Sequence, residues 1–280
     1  MNQVPRIKLN NGTLMPQLGF GVWQVPDAEA ERVVGSALEA GYRSVDTAAV
    51  YGNERGTGRA VTGSGLPREE LFVTTKLWNG PDRRWDRDAV LRAFDDSLGK
   101  LGLDHVDLYL IHWPRPMRDD FLTIWKTFEE IAASGRARAV GVSNFRPADL
   151  ERLGAESPLV PAVNQVELHP LFPQAELRAL HASLGIATEA WSPLGQGKEL
   201  LELPAVAAVA AKHGRSAAQV VLRWHLRQGT IVIPKSVTPS RIRENLDVFG
   251  FELDAEDLAA LDALGADGGR IGPDPAVFDV

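Results

Sequence analysis

The feature that most constrains the fold is a repeat in which short apolar runs alternate with amphipathic segments along the chain. Runs that are apolar throughout are typical of parallel strands that helices cover on both faces. Residues 27–40 show the helical half of the repeat, because apolar residues recur every three or four positions after Asp27, a residue suited to cap a helix. We predict eight strands, over residues 18–23, 44–46, 71–76, 106–112, 139–144, 162–167, 186–191 and 231–235.

Eight strand–helix units in about 250 residues predict an α/β fold of the (β/α)₈ TIM-barrel type, with extra C-terminal helices. The alternative is an open doubly wound sheet, whose phosphate loop should carry G-x-G-x-x-G after the first strand. Gly19 and Gly21 begin that spacing, but no third glycine completes it. Asn11-Gly12, between two short β-like runs, predicts an N-terminal β-hairpin with a type I′ turn that plugs the bottom of the barrel. No linker divides the chain, so we expect one domain over residues 1–280.

The charge balance and the absence of cysteine narrow the function classes. The chain has 30 basic and 37 acidic side chains and a net charge of −7, which argues against a nucleic-acid partner, since phosphate contacts need a basic face. Without cysteine, disulfides, thiolate metal sites and cysteine nucleophiles are excluded. No apolar stretch approaches ~18 residues and the N-terminus lacks an apolar signal core. We therefore expect no membrane partner and a cytoplasmic location. We also expect a monomer.

Side chains that can carry chemistry cluster at the predicted carboxyl ends of the strands, where the active sites of such barrels lie. Asp46, Lys76 and His112 close three consecutive strands, and Tyr51 follows Asp46 in the next loop. Four titratable groups of different types are therefore expected at one mouth of the barrel. The other polar or aromatic residues at the strand ends are Trp23, Trp78, Trp113, Ser143, Asn144, Gln165, Glu167, Trp191, Ser192, Lys235 and Ser236.

The segment GYRSVDTAAVYGNE, residues 41–54, resembles the signature of the aldo-keto reductases. The blocks TTKLWN, DLYLIHWP, GVSNF, AVNQVELHP, WSPLGQGK and IPKSVTPSRIRENLDVF resemble the other blocks of that family, in the same order, from residue 7 to residue 264. The WSPLGQGK block and the short C-terminal tail look most similar to bacterial 2,5-diketo-D-gluconate reductases. The resemblance implies an NADPH-dependent reductase that converts aldehydes and ketones, such as keto-sugars, small or aromatic aldehydes and dicarbonyls, to alcohols.

The four titratable residues suit this chemistry. Carbonyl reduction needs a hydride, which no side chain donates, so a cofactor must supply it. Tyr51 is the expected proton donor, and a Lys76 ammonium about 4 Å away would lower the pKa of the phenol from about 10 toward neutrality. Asp46 would keep Lys76 charged and oriented, and His112 would donate a hydrogen bond to the carbonyl oxygen. The family resemblance implies the same four roles.

A phosphate site is predicted at the N-terminus of a late helix. Thr238 is suited to cap this helix and Pro239 to occupy its first position. A helix N-terminus flanked by Lys235, Ser236 and Arg241 is typical of phosphate binding, and the two cations suit the 2′-phosphate of NADPH.

The resemblance implies the remaining cofactor contacts. It assigns Ser143, Asn144 and Gln165 to the nicotinamide carboxamide and Trp191 to the face of the nicotinamide ring. It places Gly195 and its neighbours over the pyrophosphate. The further contacts expected for NADPH are Gly21, Val22, Trp23, Asp46, Ser192, Pro193, Leu194, Ile233, Pro234, Val237, Glu244 and Asn245.

The substrate pocket is expected beside the proton donor. Trp23, Trp78 and Trp113 would form its walls, together with Tyr51 and His112. Because the loop over residues 114–120 is short and few residues follow residue 264, the pocket is expected to be open and to accept several small carbonyl substrates.

Two alternatives stay open at this point. The same fold could serve a non-catalytic subunit that senses NADPH, although the presence of all four titratable residues favours an enzyme. A barrel metallohydrolase would use His112, Glu167 and His169, which are suitable ligand types. The chain has no paired H-x-H after the first strand and no tight carboxylate cluster, so we predict no metal site.

Overall fold

The computed structural model describes residues 4–80, 85–265 and 269–279; the ends of the predicted domain, residues 1–3 and 280, lie outside the described residues. The strands are β1 Arg6–Lys8, β2 Leu14–Pro16, β3 Phe20–Gly21, β4 Ser44–Asp46, β5 Phe72–Leu77, β6 Val106–Ile111, β7 Ala137–Ser143, β8 Val163–Glu167, β9 Ala187–Trp191 and β10 Ile231–Val232. The helices are α1 Asp27–Ala40, α2 Glu54–Gly63, α3 Arg87–Leu101, α4 Phe121–Ala133, α5 Pro147–Glu156, α6 Ala175–Leu184, α7 Pro204–His213, α8 Ala217–Arg227, α9 Pro239–Leu246 and α10 Ala255–Asp262.

Strands β3 to β10 form one parallel sheet in which each strand pairs with its neighbour in the chain. The sheet closes because Leu18 bridges Val232 in a parallel sense. Hydrogen bonds from the Gly19 amide to the Val232 carbonyl, 2.8 Å, and from the Val232 amide to the Gln17 carbonyl, 3.0 Å, seal this seam. The predicted (β/α)₈ barrel is therefore confirmed, and α9 and α10 follow the last strand.

The N-terminal hairpin is confirmed, but its predicted turn type is wrong. Strands β1 and β2 pair in an antiparallel sense across residues 9–13, a longer connection than the two residues of a type I′ turn. Gly12 has a positive φ of 89°, but Asn11 does not, and a type I′ turn needs both. The turn contacts the amino ends of the barrel strands, since Asn10 Nδ2 donates to the Pro161 carbonyl at 3.0 Å and Asn11 Nδ2 to the Arg138 carbonyl at 2.9 Å.

The first helix differs from the prediction at its N-terminus. Pro26 occupies the cap position of α1, so Asp27 is the first helical residue rather than the cap. Its Oδ1 accepts instead from the Gly56 amide at 2.7 Å and ties α1 to α2. A Cβ at Gly56 would meet the Asp27 carbonyl oxygen at 2.4 Å, so this close approach requires glycine. None of the helices in the described part of the chain combines the length and apolarity that a membrane crossing needs.

Candidate active site

The structure brings the four predicted titratable side chains together at the carboxyl end of the barrel. Asp46 ends β4, Lys76 is the penultimate residue of β5 and His112 directly follows β6. Tyr51 ends a short 3₁₀ turn that begins three residues after Asp46. Parallel strands that differ little in register deliver these residues to the same edge of the sheet.

Lys76 lies at the centre of the cluster and is completely buried. Its Nζ is 2.5 Å from Asp46 Oδ1 and donates to the Thr47 carbonyl at 3.0 Å. The third neighbour is the Tyr51 hydroxyl, at 3.5 Å. An ammonium group has three hydrogens and three nearby acceptors here, so its position is closely defined.

The charges of Lys76 and Tyr51 follow from their burial and from Asp46. Burial favours the neutral amine, but the interactions with its neighbours, chiefly the charge of Asp46, more than offset this and raise the pKa of Lys76. For Tyr51, burial of the hydroxyl raises the pKa by more than the Lys76 charge lowers it. The expected fall of the Tyr51 pKa toward neutrality is therefore not found. The phenol stays protonated at neutral pH and can therefore act as a proton donor.

His112 is a neutral imidazole at the same mouth. Burial, followed by the nearby charge of Lys76, holds its pKa well below the usual range. Its ring meets Tyr51 edge-on, with centroids 5.8 Å apart, and Trp78 edge-on at 5.4 Å. Nδ1 is buried and has no hydrogen-bond partner among the described residues. A neutral imidazole can donate one hydrogen bond without adding charge.

The loop that carries Tyr51 is fixed by Asn53, a role that the sequence analysis missed. Asn53 Nδ2 donates to the carbonyls of Val22, at 2.8 Å, and Val25, at 2.9 Å, while its Oδ1 accepts from Thr47 Oγ1 at 2.7 Å. This buried amide therefore joins the loop to the end of β3. Its place inside the signature segment was the only signal in the sequence.

Asn144 connects three of the other predicted site residues. It has a positive φ of 64°, a conformation that asparagine tolerates better than most residues. Its Nδ2 donates to the His112 carbonyl at 3.0 Å and to Ser143 Oγ at 3.1 Å, and its Oδ1 accepts from Trp191 Nε1 at 2.8 Å. Both amide hydrogens are engaged within the protein, so only a lone pair of Oδ1 remains for a ligand.

Gln165 bridges two acidic side chains beneath the mouth. Its Nε2 donates to Asp46 Oδ2 at 2.9 Å and to Glu189 Oε2 at 2.8 Å. Glu189 is fully buried on β9, and burial together with the charge of Asp46 raises its pKa to about 8. The sequence analysis did not single out Glu189, although an acid within the strand segment IATEAW was a readable anomaly.

The predicted phosphate site lies at the N-terminus of α9. Pro239 is the first helical residue, as predicted, but Thr238, at the cap position, makes no side-chain cap bond. The first turn therefore keeps unsatisfied N–H groups. Lys235 and Arg241 are exposed beside it, and neither has an ion-pair partner within the described ranges. Two free cations at an uncapped helix N-terminus suit a phosphate group.

The other predicted cofactor residues lie along the barrel rim. Gly21 pairs with Pro234 across the seam, where its amide donates to the Pro234 carbonyl at 3.1 Å. A Cβ at Gly21 would come within 2.8 Å of the Ile233 carbonyl oxygen, so the seam requires glycine. The buried members of this set are Gly21, Val22, Pro193, Gly195, Ile233, Pro234, Ser236 and Asn245; Ser192, Leu194 and Glu244 are half-buried, and Trp23 and Val237 are exposed.

The C-terminal tail covers part of the mouth, which corrects the expectation of an open pocket. Phe278 packs on Trp113, with ring centroids 4.1 Å apart, and on Trp78 at 6.4 Å. The next residue, Asp279, pairs with Arg118 at 3.0 Å. The tail is short, but it folds back across the barrel end, and counting residues after the last helix could not reveal that path.

The same tail also engages Glu167. The Glu167 carboxylate accepts from the amides of Ile271, at 2.6 Å, and Gly272, at 2.8 Å. His169 Nε2 is a further neighbour of Glu167, at 3.1 Å. A Cβ at Gly272 would meet the Trp191 ring at 2.3 Å, so the tail lies directly against this indole. Glu167 therefore binds the tail, and His169 lies beside its carboxylate. No metal-binding cluster occurs within residues 4–80, 85–265 and 269–279.

A cavity of about 300 Å³ lies at the opposite end of the barrel, beside the hairpin. Its lining includes Asp107 and Arg138, which pair with each other at 3.1 Å. Asp107 also binds Arg68 at 2.7 Å. These charges are mutually satisfied, so the candidate site remains at the carboxyl ends of the strands.

A parallel barrel with a protonated phenol beside a buried lysine–aspartate pair is suited to proton transfer. The uncapped N-terminus of α9 and its exposed cations suit an anionic ligand, and together these features are typical of a nucleotide-dependent oxidoreductase. The model of the Aldo/keto reductase family matches residues 9–266. An aldo-keto reductase of Mycolicibacterium smegmatis is 55% identical over 275 residues, which cover 98% of each chain. The methylglyoxal reductase DkgA of Yersinia pestis is 50% identical over 279 residues, 99% of each chain.

A crystal structure of a Gox0644 mutant in complex with NADPH matches with a TM-score of 0.93 and 45% identity over 100% of both chains. The chain therefore belongs to the aldo/keto reductase family and is an oxidoreductase.

Proposed function

We propose that this protein reduces aldehydes and ketones to alcohols with NADPH, and that Tyr51 delivers the proton to the carbonyl oxygen. The observation that carries the assignment is the protonated Tyr51 hydroxyl, held 3.5 Å from an ammonium that Asp46 keeps charged. Family membership supports carbonyl reduction, and the NADPH-bound relative supports the choice of nucleotide.

The residues of the barrel mouth fit NADPH. When bound, the nucleotide supplies the hydride that no side chain can donate. Gln165, Ser143 and Asn144 offer side-chain oxygens as acceptors for the nicotinamide carboxamide, because their hydrogens are engaged within the protein. The half-buried Trp191 offers an aromatic face. The donors at the start of α9 suit the phosphate on the adenosine ribose.

Each of the four titratable residues at the mouth has a role in proton transfer. Tyr51 holds the proton, and the Lys76 ammonium stabilises the phenolate that remains when the proton leaves. Asp46 holds Lys76 in place and keeps it charged. Neutral His112 orients the carbonyl oxygen with a hydrogen bond. After each turnover, Tyr51 recovers its proton from solvent.

The pocket suits small carbonyl compounds. Trp78, Trp113 and Phe278 form an aromatic cluster over the mouth, with Trp23 exposed at the rim. Such walls favour compact or flat substrates, and the relative named as a methylglyoxal reductase supports small dicarbonyls among them. We assign methylglyoxal and aromatic aldehydes as the substrate class.

The test of this function is the loss of NADPH absorbance in the presence of methylglyoxal, a keto-sugar and a panel of aromatic aldehydes. We expect turnover with several members of the panel. Tight NADPH binding without turnover on any carbonyl compound would instead support a non-catalytic NADPH-sensing subunit.

Replacing Arg241 by Ala should weaken NADPH binding by about 10–100-fold, because one charge-assisted bond to the 2′-phosphate contributes roughly 1.5–3 kcal/mol. NADH lacks this phosphate, so its dissociation constant should change by no more than about twofold. Fluorescence titration with both nucleotides measures the two constants. The matched control is Arg243→Ala, which removes an exposed arginine from the same helix. Equal losses for NADPH and NADH would contradict the 2′-phosphate assignment.

Replacing Phe278 by Ala should enlarge the pocket. We expect kcat/KM for methylglyoxal to fall by about tenfold, because a packed aromatic wall contributes roughly 1–2 kcal/mol. The same variant should gain activity on bulky aromatic aldehydes. The control is Val277→Ala, which alters a neighbouring tail residue that is 72% exposed. An unchanged ratio between small and bulky substrates would show that the tail does not shape the pocket.

A further inference from the structure

Glu189 is a buried acid that the proton-transfer scheme above does not use. It lies in register with Gln165 on the neighbouring strand and with Ile231 on the other side. Its Oε2 accepts one hydrogen bond, from Gln165, while Oε1 is buried without a partner among the described residues. Burying a carboxyl group in the centre of a barrel costs free energy unless hydrogen bonds to its neighbours compensate for the lost water.

The amide of Gln165 lies between two acids. One Nε2 hydrogen points to Asp46 Oδ2 and the other to Glu189 Oε2, at 2.9 and 2.8 Å. Since both hydrogens are engaged, the amide plane cannot rotate without breaking a bond, and the side-chain carbonyl oxygen must point away from both acids. Without Glu189, only one contact with Asp46 would orient the amide.

The charges around Glu189 distinguish it from Asp46, which has a cation in direct contact. The facing ionisable groups are Asp46 from β4, Lys76 from β5 and Tyr51 from the 3₁₀ turn; the neighbours on β8 and β10 are the uncharged Gln165 and Ile231. Lys76 lies 2.5 Å from Asp46 and so stabilises its carboxylate. Glu189 is buried, receives a single hydrogen bond and keeps its proton at neutral pH.

We infer that Glu189 is a positioning residue, which acts as a hydrogen-bond acceptor for Gln165 and thereby fixes the direction of the Gln165 carbonyl oxygen toward the nicotinamide carboxamide. This inference rests on the proposed function, because it assigns Gln165 to the carboxamide. Glu189 itself does not touch the reacting atoms in this scheme. It acts by orienting Gln165, which in turn contacts Asp46.

The test compares Glu189→Gln with Glu189→Met, two side chains of similar length of which only Gln keeps an acceptor. We expect Glu189→Gln to bind NADPH within about twofold of the wild type and Glu189→Met to bind it about tenfold more weakly, as expected for one lost hydrogen bond. Tryptophan fluorescence quenching by NADPH measures both constants. Equal affinities in the two variants, whether both high or both low, would overturn the inference.

A structural role alone would not depend on the carboxamide. In the oxidation direction, the penalty of Glu189→Met should shrink when the 3-acetylpyridine analogue of NADP⁺, which lacks the amide hydrogens, replaces NADP⁺. A penalty of the same size with both nucleotides would overturn the inference.

Melting of the protein without nucleotide provides a second measurement, which remains decisive if the Met variant does not fold. Because the folded state raises the pKa of Glu189, the protonated group contributes stability at acid pH. This contribution is lost as the pH rises through about 8. Glu189→Gln cannot lose a proton there. Its melting temperature relative to that of the wild type should therefore increase between about pH 5 and about pH 9. A constant difference would overturn the inference. Failure of the proposed function would appear separately, as wild-type protein that neither binds NADPH nor reduces any aldehyde.

Discussion

Replacing Tyr51 by Phe is expected to lower kcat for carbonyl reduction by about 10²–10⁴-fold, the usual contribution of a positioned general acid. The change removes one oxygen and keeps the ring, so the edge-on contact with His112 is retained. NADPH affinity should change by no more than about twofold, because no cofactor contact depends on the hydroxyl alone. Steady-state kinetics and fluorescence titration of the same preparation separate the two effects.

The matched control for Tyr51 is Tyr109→Phe. Tyr109 is also buried, but its hydroxyl has no partner among the described residues, so its loss should leave kcat unchanged. A Tyr51→Phe enzyme that keeps more than about a tenth of wild-type kcat would remove Tyr51 from the role of proton donor. Water or His112 would then be the source of the proton.

Replacing Lys76 by Met is expected to affect catalysis and stability together. The ammonium stabilises the phenolate that forms at Tyr51, so kcat should fall by about 10³-fold. The change also leaves the buried Asp46 without its cation, which should lower the free energy of unfolding by about 3–5 kcal/mol. Kinetics with methylglyoxal and urea denaturation measure the two losses.

A double variant separates the two roles of Lys76. In Asp46→Asn with Lys76→Met, neither charge remains, so much of the lost stability should return. Activity should not return, because no cation faces the Tyr51 hydroxyl. A double variant that recovers activity along with stability would show that Lys76 is needed for folding and not for proton transfer.

Most of the fold and the four central residues could be predicted because both depend on local patterns. Apolar runs and helical periodicity identified the strands, and barrel topology then required Asp46, Lys76 and His112 to share one edge. The hairpin was recognised from Asn11-Gly12, but its turn type was not, because packing of the turn against the barrel end overrides the two-residue preference. Thr238 was predicted as a cap from residue type, whereas its side chain makes no such bond.

Other features depend on contacts between distant segments. Glu189 meets Gln165 and Asp46 only after β4, β8 and β9 are in register, so nothing within its own strand marked its partners. The path of the tail from Ile271 to Phe278 is held by Glu167 and Trp113, which lie more than a hundred residues earlier in the chain. The pKa of Tyr51 likewise depends on how deeply the hydroxyl is buried, which a distance between two charges does not describe.

The amino-acid order alone was sufficient to predict a parallel barrel and to propose Tyr51 as the proton donor, because strand periodicity and side-chain chemistry are properties of short segments. It could not predict the protonation of that donor, the acid behind Gln165 or the aromatic cover of the pocket. Those depend on desolvation and on non-local packing, and both come into existence only when the barrel closes and the C-terminal tail folds over its mouth.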